Sequence, residues 1–88
     1  MENYNKSANI ALDMYLNYIK DRLHDLDMNM KTLSEKTDIP YTTLYDNFKK
    51  KNKISLLNFF KICGALDINP YLVPKEMDEN DKDYIHFN

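Results

Sequence analysis

The sequence has little of what marks a catalytic, metal-binding or disulfide-linked protein. It contains one cysteine, Cys63, and one glycine among 88 residues, and its two histidines, His24 and His86, lie far apart. A single cysteine cannot form a disulfide within the chain, and these residues lack metal-ligand spacing. A glycine-rich phosphate loop is excluded, and no nucleophile and base have a spacing typical of catalysis. We therefore expect no metal, no cofactor and no enzymatic activity.

Long hydrophobic runs are missing as well. No apolar stretch approaches the ~18 residues that cross a bilayer, and the first residues lack the charged-then-apolar order of a secretory signal. With the lone cysteine, these features predict a cytoplasmic protein that contacts no membrane. Hydrophobic residues still make up 43% of the chain, and this length suits one domain with a modest core.

Charge is unevenly distributed along the chain. The totals of 12 basic and 14 acidic residues argue, at first sight, against a nucleic-acid partner. Residues 29–53, however, hold six lysines against three acidic residues, whereas residues 1–28 and 75–88 each hold five acidic residues against three and two basic ones. The middle of the chain is therefore basic. Its lysine run, 49–53, is either a solvated loop or a contact with phosphate.

Hydrophobic periodicity and capping residues predict three helices in the first half of the chain. Apolar residues recur at three- and four-residue steps from Leu12 to Leu26, which predicts a first helix over residues 9–25. Asn29 is a good N-cap for a second helix over residues 30–37. Pro40 ends that helix and suits the start of a third, over residues 41–49.

The second half of the chain predicts two more helices. Ser55 can cap a fourth helix, whose apolar residues cover so wide an arc that we expect it to be the most buried element. Within it, Cys63 is expected to be a small core residue, and Gly64 is expected to lower the stability of the helix while permitting close packing. A short fifth helix is expected over residues 70–73. The alternation of apolar and polar residues at 84–87 fits a short strand or an anchoring arm.

This order of elements closely resembles the phage-repressor (Cro/CI-like, XRE) family of helix-turn-helix domains, from about residue 12 to residue 73. The strongest part is the spacing of Leu33, Ile39 and Leu44, because a helix-turn-helix needs inward apolar residues at these places. The resemblance implies an all-α, compact five-helix lambda-repressor-like domain. We place it at residues 9–74, between a short N-terminal extension, 1–8, and an acidic C-terminal tail, 75–88.

By this resemblance, the third helix is the recognition helix and lies in the major groove of double-stranded DNA. The residues expected to contact bases are Tyr41, Thr42, Thr43, Tyr45 and Asp46. Threonine can donate to bases or phosphates, and aspartate can accept from cytosine. The residues expected to contact phosphates, at the start of the second helix and in the basic loop, are Asn29, Lys31, Lys49, Lys50, Lys51 and Lys53.

Three departures from the family pattern affect DNA recognition. Met30 stands where the family often has glutamine, so one phosphate contact is missing. Asp38 replaces the common glycine of the turn and adds a negative charge near DNA. The third helix has no arginine, so the strongest side-chain contact with guanine is absent.

Two functions remain open. The first is a sequence-specific DNA-binding transcriptional regulator, a repressor of phage or mobile-element type. It would act as a homodimer, because one short recognition helix reads too few base pairs. Dimer contacts are expected either from the tail (Tyr84, Ile85 and Phe87), for which fraying is the alternative, or from the N-terminal extension of the first helix.

The second function keeps the fold but binds a protein partner, as a small mobile-element inhibitor or adaptor that uses Tyr41 and Tyr45.

Overall fold

The computed structural model describes residues 4–78, and this part of the chain is helical and has no strand. Its four main helices are α1 (Tyr4–Asp25), α2 (Met30–Thr37), α3 (Tyr41–Phe48) and α4 (Leu56–Ala65). A single helical turn, α5 (Lys75–Asp78), follows. The predicted all-α class is confirmed. The predicted arrangement of five helices is wrong, because residues 70–73 are not helical and four helices build the domain.

The missing helix at 70–73 has a local cause. Proline disfavours the α conformation in the residue before it, and both Asn69 and Val73 precede a proline. Residues 70–73 follow one such position and end at the other, and so short a segment cannot offset the cost of starting a helix. The chain leaves α4 through Asp67, which has a left-handed φ of 54°. The strand or anchoring arm expected at 84–87 lies outside the described residues.

Helix α1 is longer than the sequence predicts, since it begins at Tyr4 and not at Asn9. Its core-facing side is formed by Ala11, Leu16, Ile19 and Leu23, all buried. Hydrophobic periodicity in the sequence indicates only the part of α1 that packs on the core. The earlier residues contain neither proline nor glycine, so the helix continues beyond the core.

The turn between α2 and α3 is held by hydrogen bonds at both of its ends. Helix α2 stops at Asp38, whose φ is 59° and whose N–H donates to the carbonyl of Ser34. The hydroxyl of Ser34 in turn donates to the carbonyl of Ile39 at 2.6 Å. Asp38 therefore adopts the left-handed conformation that the family usually assigns to glycine, which short polar side chains tolerate.

The core lies where α1, α2, α3 and the C-terminal half of α4 meet. Leu33, Ile39 and Leu44 are buried, as the helix-turn-helix spacing predicts, and they pack with residues of α1 and α4. Arg22 of α1 closes the far end of α4, since its Nε donates to the carbonyl of Leu66 at 2.9 Å. This bond joins the C-terminal part of α1 to the end of α4.

The prediction that α4 is the most buried element is wrong. Only Ile62 and Cys63 of this helix are buried, whereas Leu56 and Leu57 are 67% and 65% exposed. The reason is that the apolar arc is wider than the face covered by α2 and the rest of the core. Gly64 also serves no close approach, since a Cβ built on it meets nothing within 4 Å.

Candidate nucleic-acid interface

One side of α3 presents a row of ring and cationic side chains. Tyr41 and Tyr45 are one helical turn apart and exposed, and their rings stack with centroids 6.4 Å apart and planes inclined by 20°. The ammonium of Lys49, one further turn along, lies 5.6 Å from the centroid of the Tyr45 ring. Stacking and cation–π attraction both favour this arrangement, so the row presents flat rings ending in a positive charge.

This row forms one wall of a groove of about 440 Å³, here called the α1–α3 groove. The other walls come from the C-terminal part of α1 and the segment that leads into α2. Its floor is apolar and its lining contains cationic or ionisable side chains but no carboxylate. The lining residues are Lys20, Leu23, His24, Met28, Asn29, Met30, Tyr41, Tyr45, Phe48 and Lys49. An anionic ligand therefore meets no like charge within the groove itself.

Four of the predicted contact residues come together in this groove: Asn29, Tyr41, Tyr45 and Lys49. The other residues predicted on α3 lie outside it. Thr42 is exposed, while Thr43 and Asp46 are half-buried. Helix α3 thus divides its predicted base contacts between the groove and the surface beside it.

The start of α2 is ordered by Asn29. The N–H of Thr32 donates to Oδ1 of Asn29 at 2.8 Å, and the Thr32 hydroxyl donates to the same oxygen at 3.0 Å. This cap provides a hydrogen-bond acceptor for one amide of the first turn. The positive end of the helix dipole and the exposed Lys31 both add positive potential to the start of α2. The amide group of Asn29 keeps its N–H donors for a ligand.

The lysines of the basic loop differ in their surroundings. Lys50 has a left-handed φ of 62°, and its Nζ lies 2.7 Å from a carboxylate oxygen of Asp13 on α1. Lys51 and Lys53 are exposed, and among residues 4–76, whose side chains the structure describes, the Lys50–Asp13 pair is the one salt bridge found. The predicted phosphate contacts are therefore unequal, because Lys50 already has an anionic neighbour.

Asn47 shapes the same loop, and the sequence analysis does not single it out. Its side chain is buried, and Nδ2 donates to the carbonyl of Asn52 at 3.1 Å, while Oδ1 has no hydrogen-bond partner. A signal was present, since Asn47 stands three residues after Leu44 and so lies on the core-facing side of α3. A polar residue there calls for a polar partner.

Lys20 and His24 are the other site residues that the sequence analysis does not identify as such. Both belong to α1 and line the α1–α3 groove. Only the position of α1 next to α3 brings them beside Tyr41, Tyr45 and Lys49. Their spacing of four residues, which puts both on one side of α1, was the available signal.

The part of the chain that the structure describes gives no support for a membrane-spanning helix, a metal site or a reactive cysteine. No helix there is long and apolar enough to cross a bilayer. No three potential metal-ligating side chains cluster among residues 4–76. Cys63 is buried in the core, and burial raises the pKa of its thiol.

Comparison with known families places more than half of the chain in a described family. Residues 18–71 match the family model of the Cro/C1-type HTH DNA-binding domain. This range is more than half of the chain and contains α2, the turn, α3 and α4. No curated protein and no solved structure matches the chain. The chain therefore belongs to the family of Cro/C1-type helix-turn-helix DNA-binding domains.

Proposed function

We propose that this DNA-binding regulator is a sequence-specific repressor of phage or mobile-element type that places α3 in the major groove of its operator. The observation that carries the proposal is the α1–α3 groove, which joins exposed rings of α3 to the capped start of α2 and contains no carboxylate. Phosphate binding at a helix N-terminus and base reading by the adjacent helix are compatible in this arrangement.

The contact residues divide into two groups in this proposal. Thr42 and Asp46, which do not line the groove, read base edges, with Tyr41, Thr43 and Tyr45 beside them. Phosphate contacts come from the two flanks of α3, and these residues are Asn29, Lys31, Lys49, Lys51 and Lys53, with a smaller contribution from Lys50. Phosphate contacts set position and affinity, while base contacts set sequence preference.

The regulator acts as a homodimer on a palindromic site. The eight residues of α3 span about 12 Å, which covers roughly three to four base pairs. So short a contact cannot single out one operator in a genome, whereas two copies on two half-sites can. Repression then requires only that the bound dimer occupy DNA that another protein needs.

Selection of bound duplexes from a random pool tests the proposal, followed by titration of the selected duplex at several salt concentrations. We expect an enriched palindrome with half-sites about one helical turn apart. We also expect log affinity to fall linearly with log salt, because several lysines release counterions. Failure to bind any duplex at low salt would refute the proposal.

The stacked tyrosines support a second candidate function. Exposed Tyr41 and Tyr45 offer the aromatic area that protein interfaces favour. In this alternative the domain binds a protein partner of a mobile element and inhibits or recruits it. The salt titration separates the two functions, since binding through an aromatic patch depends far less on salt than binding through several lysines.

A further inference from the structure

Helix α1 carries an exposed apolar row on the side opposite the core. Ile10, Met14 and Tyr18 follow one another at four-residue steps and are 50%, 49% and 58% exposed. At 3.6 residues per turn they lie within a sector of about 80°. We call these three residues the α1 ridge. A helix that is apolar on two opposite sides has one of them without a partner within its own domain.

The ridge begins before the region that the family model describes. That region starts at residue 18, within α1, which itself begins at Tyr4. Ile10 and Met14 therefore precede the region. Lys20 and His24, which line the α1–α3 groove, lie about 120° and about 80°, respectively, around α1 from Met14 at the middle of the ridge, so His24 is the nearer of the two. A protein seated on the ridge therefore leaves the groove open for DNA.

Charges at the two ends of the ridge favour a particular arrangement of two copies. Lys6 lies on the flank of the ridge near its N-terminal end, whereas Asp21 and Asp25 lie on the ridge side at the C-terminal end, and all three are exposed. Two α1 helices packed in parallel put like charges together. Two packed antiparallel put Lys6 of each chain near the acidic end of the other, so the surface is complementary to itself.

We propose that the α1 ridge is the surface through which two copies of this chain associate, with their α1 helices antiparallel. The twofold axis passes near Met14, so that Met14 faces the partner's Met14 and Ile10 faces the partner's Tyr18. Such a symmetric interface uses the same patch on both copies. This inference rests on the proposed function, because the need for two half-sites is what requires a dimer.

The size of the ridge sets the strength of the dimer. Helix α1 has 22 residues and is about 33 Å long, but three side chains and their flanks cover less than the ~800 Å² per partner of a standard interface. The free protein is therefore a weak dimer. On a palindromic duplex the two copies hold each other at a high effective concentration, which strengthens binding by about 100-fold over a single half-site.

Disulfide cross-linking of the full chain tests the geometry. Oxidation of Met14→Cys is expected to give a covalent dimer, because the two introduced thiols meet at the axis. In a mixture of Ile10→Cys and Tyr18→Cys chains, the mixed disulfide is expected to exceed either self-linked product. Leu72→Cys is the control, since this position is exposed and lies far along the chain from α1. Cross-linking of Met14→Cys no faster than the control overturns the proposal, and so does preferential self-linking of Ile10→Cys.

Sedimentation and DNA titration test the energetics. Met14→Arg is expected to be monomeric and to lose about 100-fold in affinity for the palindrome while keeping its affinity for a single half-site. Lys6→Asp weakens the dimer, and adding Asp21→Lys restores it. The controls are Leu56→Arg, on the exposed end of α4, and a chain ending at Asp78. Loss of the dimer in either control, with Met14→Arg unaffected, places the interface elsewhere. If the unmodified chain does not bind a half-site, the proposed function is refuted instead.

Discussion

The ammonium of Lys50 lies 2.7 Å from the carboxylate of Asp13, which ties the loop after α3 to helix α1. Both side chains remain about half exposed, so the pair contributes at most about 1 kcal/mol to stability. Its larger effect is on the proposed DNA surface, where it places a negative charge next to one of four neighbouring lysines. Lysines that look equivalent in sequence are therefore unequal toward phosphate.

The first prediction concerns this inequality. Lys51→Ala is expected to lower the slope of log affinity against log salt by about one unit, and Lys50→Ala by clearly less, since part of its charge is already neutralised. Asp13→Asn frees Lys50 and is expected to raise DNA affinity by up to about fivefold at low salt. Titrations of one duplex by fluorescence anisotropy measure all three. Equal slopes for the two lysine variants contradict the assigned difference.

The second prediction separates base contacts from phosphate contacts. Thr42→Ala and Asp46→Ala are expected to change which duplexes are preferred, by about 1–3 kcal/mol at the affected base pair. Lys49→Ala is expected to weaken binding to all duplexes by a similar factor. Affinities measured for a panel of single-base variants of the operator show the difference. A uniform loss in the Thr42 variant would remove that residue from base reading.

The third prediction uses two matched helix caps. Asn29 accepts from the N–H of Thr32 at the start of α2, and Ser55 accepts from the N–H of Asn58 at the start of α4. Asn29→Ala and Ser55→Ala are each expected to lower the free energy of unfolding by about 1 kcal/mol. Only the Asn29 variant is also expected to bind DNA less tightly, because only α2 begins in the α1–α3 groove. Urea unfolding and DNA titration of both variants provide the comparison.

Local chemistry in the sequence accounts for the helix-turn-helix well. Asn29, Ser55 and Pro40 mark helix starts in the sequence, and α2, α3 and α4 begin where these residues place them. The inward positions Leu33 of α2 and Leu44 of α3 are buried, as the spacing of the helix-turn-helix motif predicts. Capping and periodicity act over a few residues, so the sequence alone reveals them.

Features that depend on how helices meet were harder to predict. The exposure of Leu56 follows from how far α4 extends past its neighbours, which its own apolar arc does not indicate. Lys20 joins the α1–α3 groove only through the position of α1 next to α3, and the Lys50–Asp13 pair joins residues far apart in the chain. The site was therefore only partly predictable, since one wall of it comes from α1, a helix for which the sequence predicts no DNA contact.

The fourth prediction concerns Gly64. It lies within α4 with an ordinary helical backbone, and an added Cβ meets nothing within 4 Å. Gly64→Ala is therefore expected to raise the free energy of unfolding by about 0.5–1 kcal/mol, because alanine loses less backbone entropy on folding. Thermal and urea unfolding measure the gain. A destabilised variant would show that the site is more crowded than its surroundings indicate.

The fifth prediction concerns the pH dependence contributed by Cys63. Burial raises the pKa of this thiol in the folded protein, because the thiolate is poorly solvated in the core. The unfolded chain therefore loses the proton first, at the ordinary pKa of about 8.5. Any stability linked to the protonated thiol is fully present below that pKa and declines as pH rises toward the folded-state pKa.

Cys63→Ala removes this linkage at some loss of core packing, so we expect its stability to fall less steeply than that of the unmodified chain between about pH 7 and pH 10. Every other side chain is the same in both proteins, so the difference between the two curves isolates the thiol. Urea unfolding at a series of pH values measures it. An aromatic disulfide reagent provides the second readout: it is expected to modify Cys63 only as fast as the domain opens, and modification at the rate of a free thiol would place Cys63 outside the core.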